Sequence, residues 1–261
     1  MVELVDVLVD LDAESADVDR LVAFLPADAW ALPTPADGWT IAHQIAHLTW
    51  TDQASTLAIR DREGFTAHLV AALEDPGGFV DRGAEQLLDE PSVMLRRWRE
   101  GRVALAEGLA GVPAGERIPW FATAMSPLSM ATARIMETWA HGLDIADALG
   151  ALREPTARLL HIVHLGHRTF RHSFMAHGRA APQGAVCLEL TAPDGSQWTF
   201  GPQDATDRVT GPALDFCLLV TRRRHRADLG LIATGPAADE WLDIAQAFAG
   251  PPGSGREAGA R

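Results

Sequence analysis

The stretch LSMATARIMETWAHGLDIADALG, residues 128–150, is predicted to be a long helix that ends at Gly150. Within it Glu137 and His141 are four residues apart, which places a carboxylate and an imidazole on one face, about one turn apart. That geometry suits two ligands of a single cation. A Glu–His hydrogen bond on the helix surface is the more common reason for this spacing, so the segment alone leaves both interpretations open. Asp144 follows on the same face, where it could accept the proton on the far nitrogen of a ligand histidine.

A second histidine stands in a largely apolar helix predicted for residues 41–60, with Thr40 as its N-cap. His47 has few polar neighbours there, and a buried imidazole needs a polar partner. It is either a metal ligand or an ordinary histidine that bonds a carbonyl group or faces solvent. His43, one turn earlier, makes a competing His-x-x-x-His ligand pair. Imidazole and carboxylate ligands suit zinc and its first-row neighbours, and three protein ligands plus water indicate an open, catalytic site, whereas a fourth protein ligand indicates a closed one.

The helical pattern extends on both sides of these segments. Apolar residues recur at helical spacing in 1–25 and 92–109, and a further helix is predicted for 156–177. Residues 63–89 give mixed signals, and 111–127, which contain three prolines, are predicted to form a loop. Apart from its loops, the chain is therefore expected to be entirely helical up to about residue 177.

The pattern changes near residue 180, where short β-prone runs begin. Residues 186–191 and 197–200 flank Pro193-Asp194-Gly195, a combination that predicts a β-hairpin. Two helices, at 214–221 and 237–248, and a strand at 229–233 are predicted to complete this region.

We therefore predict an α+β fold in three parts. They are a metal-binding helical domain over 1–180, a small α+β domain over 181–250 and a disordered tail over 251–261, which is rich in Gly and Pro.

The composition argues against several classes of function. The 261 residues are 47% hydrophobic and 22% charged, as expected of a folded globular chain. A net charge of −13 and an isoelectric point near 5.1 disfavour binding to nucleic acid or to an anionic membrane. No apolar run approaches the roughly 20 residues of a spanning helix, and the acidic N-terminus does not resemble a secretion signal, so a cytoplasmic protein is expected.

The two cysteines, Cys187 and Cys217, are too few for a disulfide framework or a Cys-rich metal site, and both are predicted to be buried. The chain also contains no tyrosine, which excludes a phenol as general acid or base. Any thiol chemistry would therefore need a thiol from outside the chain.

Two motifs together resemble a known family. Gly38-Trp39-Thr40-Ile41 leads into Ile45-Ala46-His47-Leu48, and Glu137-Thr-Trp-Ala-His141-Gly-Leu-Asp144-Ile-Ala follows later in the chain. This order resembles the mycothiol-dependent maleylpyruvate isomerase family, within the wider DinB-like metal-binding superfamily. Residues 184–241 also resemble the C-terminal domain of that family, so the resemblance covers nearly the whole chain.

The resemblance implies a fold and a ligand set. The N-terminal part would be a DinB-like four-helix bundle that binds a divalent metal, usually zinc, through His47, Glu137 and His141. A smaller α+β domain would follow and would supply an arginine near the active site, for which Arg222 and Arg223 are the candidates. Such an arginine suits a substrate carboxylate, which it can hold with two parallel hydrogen bonds. His43 stands where relatives often have a carboxylate.

The resemblance also implies a function. The best-known activity of the family uses the thiol mycothiol as cofactor, and a thiol on a metal is deprotonated to a strong nucleophile. The leading hypothesis is an enzyme that activates a low-molecular-weight thiol for S-transfer to, or cis-trans isomerisation of, a small electrophilic substrate. The alternatives are a thiol-independent metal-dependent lyase or isomerase and a non-catalytic metal-binding or sensor protein. Both a monomer and a homodimer are compatible with the sequence.

Overall fold

A computed structural model describes residues 3–121, 123–248, 250, 253 and 255–259 of the chain. These residues form two compact units, Met1–Arg153 and Glu154–Arg261. The boundary lies earlier than the one predicted at residue 180.

The first unit contains six α-helices and a short 3-10 helix, Ala27–Ala31, among its described residues. The α-helices are α1 (Leu4–Val22), α2 (Ile41–Arg60), α3 (Arg62–Glu74), α4 (Phe79–Glu85), α5 (Pro91–Ala110) and α6 (Pro127–Leu149). Helices α1, α2, α5 and α6 pack against one another as a four-helix bundle, while α3 and α4 connect α2 to α5. No helix in the described part of the chain is long and apolar enough to cross a membrane.

The long helix α6 has the boundaries that its sequence predicts. The Ser126 side chain accepts a hydrogen bond from the Ser129 N–H, Pro127 occupies the first turn, and Gly150 ends the helix with φ 63°. Residues 63–89, which gave mixed signals, form α3 and α4. The Asp61 carboxylate caps α3 by accepting from the Gly64 N–H.

The core of the bundle consists of two apolar clusters with polar side chains between them along the helices. One cluster includes Ile41, Ile45, Met94, Trp98 and Ile145, and the other includes Ala58, Phe65, Leu105, Leu109 and Ile135. Helices α2 and α6 contribute to both clusters, and around the change from one cluster to the other, at 47–53 and 136–144, each helix contains several buried polar residues. Buried polar groups cost free energy unless they are paired, so the charged and imidazole side chains in these stretches need partners inside the bundle.

The second unit combines four helices with a four-stranded sheet. Its elements are α7 (Leu159–Arg168), α8 (Phe170–Ala176), β1 (Val186–Thr191), β2 (Gln197–Phe200), β3 (Asp207–Pro212), α9 (Ala213–Val220), β4 (Ile232–Thr234) and α10 (Pro236–Ile244). The strand order is β2-β1-β3-β4, with β1 parallel to β3 and the other two pairs antiparallel. The α+β fold class is therefore confirmed.

Helices α7 and α8 belong to this unit because their apolar faces pack on its own helices. Gly166 of α7 approaches α9 so closely that a Cβ atom there would lie 2.8 Å from the Phe216 ring. On α8, the ring of Phe170 meets that of Trp241 edge-on, with centroids 4.9 Å apart. The single helix predicted for 156–177 is thus two helices, which meet at Thr169.

The predicted hairpin is confirmed, with Leu190 paired to Trp198 across a turn in which Gly195 has φ 84°. Strand β3 was not predicted, and α10 ends four residues before the predicted residue 248. Of the tail predicted to be disordered, residues 251, 252, 254, 260 and 261 lie outside the described residues. In its described part, the Gly259 N–H donates a 2.8 Å hydrogen bond to the Asp228 carboxylate.

Candidate metal centre

Three side chains that the sequence analysis singled out converge inside the bundle. The Nε2 atom of His47, on α2, lies 3.4 Å from Glu137 Oε2, and the Nε2 atom of His141 lies 3.2 Å from the same oxygen. The two imidazole rings have centroids 4.3 Å apart. One ligand atom from each residue lies within 4.8 Å of the other two, and among the described residues no other group of His, Cys, Asp or Glu meets this condition. The cluster could therefore hold one metal ion.

The centre is largely buried but keeps some contact with solvent. His47 is 6% exposed and His141 9%, whereas the Glu137 side chain keeps 20% of its surface exposed. Burial alone would raise the pKa of the Glu137 carboxyl, but its contacts with His141 and His47, together with the Arg134 guanidinium, hold that pKa well below its usual range. Glu137 is thus a carboxylate at neutral pH, the form that binds a cation.

The hydrogen bonds of His141 indicate which of its nitrogens faces the centre. The Gln44 side chain donates through Nε2 to Thr34 Oγ1 at 2.8 Å, so its oxygen Oε1 is left as the acceptor for His141 Nδ1, 2.5 Å away. His141 Nδ1 therefore donates to Gln44, and Nε2 is the nitrogen that faces the Glu137 carboxylate. An imidazole nitrogen and a carboxylate oxygen 3.2 Å apart can share either a proton or a cation, and two imidazoles and one carboxylate are a donor set that fits a divalent metal.

Gln44 therefore occupies the place beside His141 that the sequence analysis assigned to Asp144. The glutamine is itself held, because Thr34 Oγ1 donates to the Trp39 carbonyl at 2.9 Å. Asp144 is completely buried one turn beyond His141 on α6, and its role stays a prediction. The sequence signal for Gln44 is its position three residues before His47, which puts both side chains on the same face of α2.

We expect Gln44→Leu to weaken metal binding about 10- to 100-fold, because the variant removes the acceptor that orients His141. The measurement is competition for zinc against a chromophoric chelator. Gln86→Leu, in the segment after α4, is the matched control and should bind zinc like the wild type. Equal affinity of the Gln44 variant and the wild type would show that Gln44 does not orient the ligand.

His43 is not one of the three converging residues. Its Nδ1 atom accepts a hydrogen bond from the Thr40 N–H at 3.3 Å and lies 2.8 Å from Thr40 Oγ1, so it caps the first turn of α2. The competing His43–His47 pair is therefore not the set that the structure brings together. The ring of His47 packs instead between Trp39 and Trp50, whose centroids lie 5.2 and 6.1 Å away.

Two charged residues beside the centre were not predicted as site residues. Arg134 is 4% exposed, and its Nη2 atom lies 3.8 Å from Glu137 Oε1. Asp52 is 7% exposed, and burial raises its pKa to about 7, although Arg134 and Arg102 lower it. The sequence could have indicated both residues, because each is a charged residue on a helix that is otherwise largely apolar.

The remaining predicted residues lie in the second unit. Arg222 and Arg223 follow α9, and Arg222 has φ 59°, a left-handed conformation that is uncommon for a residue other than Gly. The Arg223 guanidinium donates to the Thr221 carbonyl at 2.8 Å. Both cysteines are buried, as predicted, and burial raises the pKa of the Cys187 thiol and, much further, that of Cys217. Neither is therefore a reactive thiolate at neutral pH.

Comparisons with known proteins identify relatives. A sequence model described as "Mycothiol maleylpyruvate isomerase N-terminal domain" matches residues 11–146, and one described as "Wyosine base formation" matches 185–234. Two uncharacterized proteins of Mycobacterium tuberculosis, from strains CDC 1551 / Oshkosh and ATCC 25618 / H37Rv, are each 54% identical over 248 residues, which cover 95% of this chain and 96% of theirs.

The fold is also similar to that of a solved enzyme. The crystal structure of the mycothiol-dependent maleylpyruvate isomerase has a TM-score of 0.58 and 14% sequence identity, and the similarity covers 89% of this chain and 93% of that one. A crystal structure of a histidine-to-alanine mutant of that isomerase matches equally well. The N-terminal match covers more than half of the chain, and the chain belongs to the mycothiol maleylpyruvate isomerase family.

Proposed function

We propose that this chain is a metal-dependent enzyme that activates a low-molecular-weight thiol, with mycothiol as the first candidate. The thiol would be used for S-transfer to, or cis-trans isomerisation of, a small electrophilic substrate. The observation that carries the proposal is the convergence of His47 and His141 on the Glu137 carboxylate in a member of this family. The buried cysteines support an external thiol, because neither supplies a thiolate nucleophile.

In this proposal His47, Glu137 and His141 would hold the metal, with zinc favoured by the two imidazoles and one carboxylate. When bound, such a cation supplies a Lewis acid that lowers the pKa of a coordinated thiol or water. Gln44 keeps the ring of His141 in one orientation, and the indole rings of Trp39 and Trp50 limit the access of water around His47. We propose Asp144 as a positioning residue within α6.

The chemistry of the substrate distinguishes the two proposed outcomes. When a thiolate adds to one carbon of an activated alkene, the double bond becomes a single bond and rotates, and elimination then restores the alkene and the free thiol. When the electrophile carries a leaving group, the bond to that group breaks and the group departs with the electron pair, so the new carbon–sulfur bond remains in the product and the thiol is consumed. Arg222 or Arg223 would hold a substrate carboxylate in either case, as the resemblance implies.

The coordination set favours catalysis over a structural or sensor role. A closed site would need a fourth protein ligand, and His43, the candidate for it, is engaged by Thr40 at the start of α2. Three protein ligands would leave one position for a thiol, a substrate or water.

The test is calorimetric titration of mycothiol into the zinc-loaded chain, together with assays of conjugation to a panel of electrophiles and of alkene isomerisation. We expect thiol binding that requires the metal, and turnover that requires both. The same measurements on Glu137→Gln should show neither. Turnover without thiol would replace this proposal with a direct metal-dependent reaction, and metal binding with neither thiol binding nor turnover would replace it with a non-catalytic role.

A further inference from the structure

Arg134 and Asp52 are buried charged side chains beside the candidate metal ligands that the proposed function does not use. In the part of the chain that the structure describes, no group accepts a hydrogen bond from the buried Arg134 Nε or Nη1. Buried polar atoms in folded proteins are almost always hydrogen-bonded to protein, water or ligand. These two nitrogen atoms therefore indicate a polar space that something else fills.

The surroundings of Arg134 favour an anion in that space. Its Nη2 atom lies 3.8 Å from Glu137 Oε1, which is longer than a hydrogen bond, and its guanidinium carbon lies 5.7 Å from the centroid of the Trp120 ring. A guanidinium has five N–H donors in a planar arrangement that fits a carboxylate. Arg134 thus retains donors for an oxyanion in a region of low dielectric constant, where such bonds are strong.

The carboxyl group of Asp52 can change its protonation state when an anion binds nearby. The charged groups that act on it are Arg134 and Glu137 on α6 and Arg102 on α5, and burial raises its pKa to about 7. A protonated Asp52 carries no charge and offers an O–H donor. Protonation would therefore remove a negative charge that would otherwise repel the anion.

We infer that Arg134 binds one small organic carboxylate beside His47, Glu137 and His141, and that the charge of Asp52 tunes this binding. The site is within reach of solvent, because the Glu137 side chain is 20% exposed and Trp120 is only partly buried. The inference rests on the proposed function only for the use of the site, which would hold a substrate carboxylate next to the reacting thiol. This anchor lies inside the bundle and is additional to the arginine expected from the second unit.

The test is a titration of sodium acetate into the full-length zinc-loaded chain, followed by the NMR signal of the ¹⁵N-labelled Arg134 Nε–H group. We expect a saturable shift with acetate and none with sodium chloride at the same ionic strength. The signal is assigned by its loss in Arg134→Gln, whose acetate affinity, measured by calorimetry, should be at least about tenfold lower than that of the wild type.

Arg102→Gln is the matched control. Arg102 also lies over an indole ring, that of Trp98 at 4.8 Å, but its guanidinium already reaches the Ser15 carbonyl and the Asp19 carboxylate. We expect this variant to bind acetate within about twofold of the wild type when all proteins are compared at about pH 6, where Asp52 is largely protonated.

The pH dependence tests the part of Asp52. Acetate affinity should fall as the pH rises and Asp52 loses its proton, by up to about tenfold per pH unit, and this dependence should disappear in Asp52→Asn. An Arg134 signal that does not respond to acetate, or equal affinity in Arg134→Gln, would overturn the site, and pH dependence that persists in Asp52→Asn would overturn the part assigned to Asp52. No thiol or turnover enters these measurements, so their failure is distinct from a failure of the proposed function.

Discussion

Glu137→Gln is expected to lower the metal content of the purified chain from about one ion to less than about a tenth of an ion. The substitution keeps the shape of the side chain but removes the negative charge on which both imidazoles converge. Loss of a partner outside the coordination sphere costs roughly 10- to 100-fold in metal affinity, and loss of the only anionic ligand should cost more. The measurement is elemental analysis after dialysis against a low, buffered concentration of zinc.

His47→Ala and His141→Ala should lose the metal in the same way, because each removes one of three ligands. His43→Ala is the matched control, since this imidazole lies one turn before His47 but caps the first turn of α2. It should keep one metal per chain and lose only the stability of a helix cap, about 1 kcal/mol. Metal retained in Glu137→Gln, or lost in His43→Ala alone, would show that the ligand set is wrong.

The residues of the candidate centre differ in how far the sequence could predict them. Glu137 and His141 share a helix face, so the 3.6-residue period alone places them together. His47 was a candidate ligand because of its apolar surroundings, and the resemblance assigned it to the same site. Gln44 was missed because its role depends on how α2 packs across α6, which local spacing does not contain. Arg134 lies one turn before Glu137 on α6, but its unpaired donors become visible only once the bundle is assembled.

The fold, too, could be predicted from the sequence only where it depends on local patterns. The bundle helices and the hairpin follow from local patterns, and both were predicted. Strand β3 was missed because its six residues, DRVTGP, are weakly β-prone and become a strand by pairing in parallel with β1, about 20 residues earlier. Helices α7 and α8 look like bundle helices in sequence, and only their packing on α9 and α10 assigns them to the second unit.

A second large effect is expected from Asp52→Asn, which should stabilise the metal-free chain at neutral and alkaline pH. Burial raises the pKa of Asp52 to about 7 from an ordinary value of 3.8. The folded chain therefore keeps the proton between these two pH values while the unfolded chain has lost it, and the contribution of Asp52 to stability falls as the pH rises through this range. At about 1.4 kcal/mol per pKa unit, the cost of the buried charge above pH 7 is on the order of 4 kcal/mol.

Asparagine is neutral at every pH, so the variant avoids this cost. The gain in the free energy of unfolding, measured by urea denaturation, should be largest at about pH 8, less than half as large at about pH 5, and near zero at about pH 4. Asp37→Asn, at an exposed position, is the control and should show no such trend. A gain that is equal at all three pH values would mean that packing, not charge, limits stability at this position. A gain that follows the pH as described would mean that the protein retains, next to its candidate metal centre, a carboxyl group that costs stability, as expected where function and not folding has selected the residue.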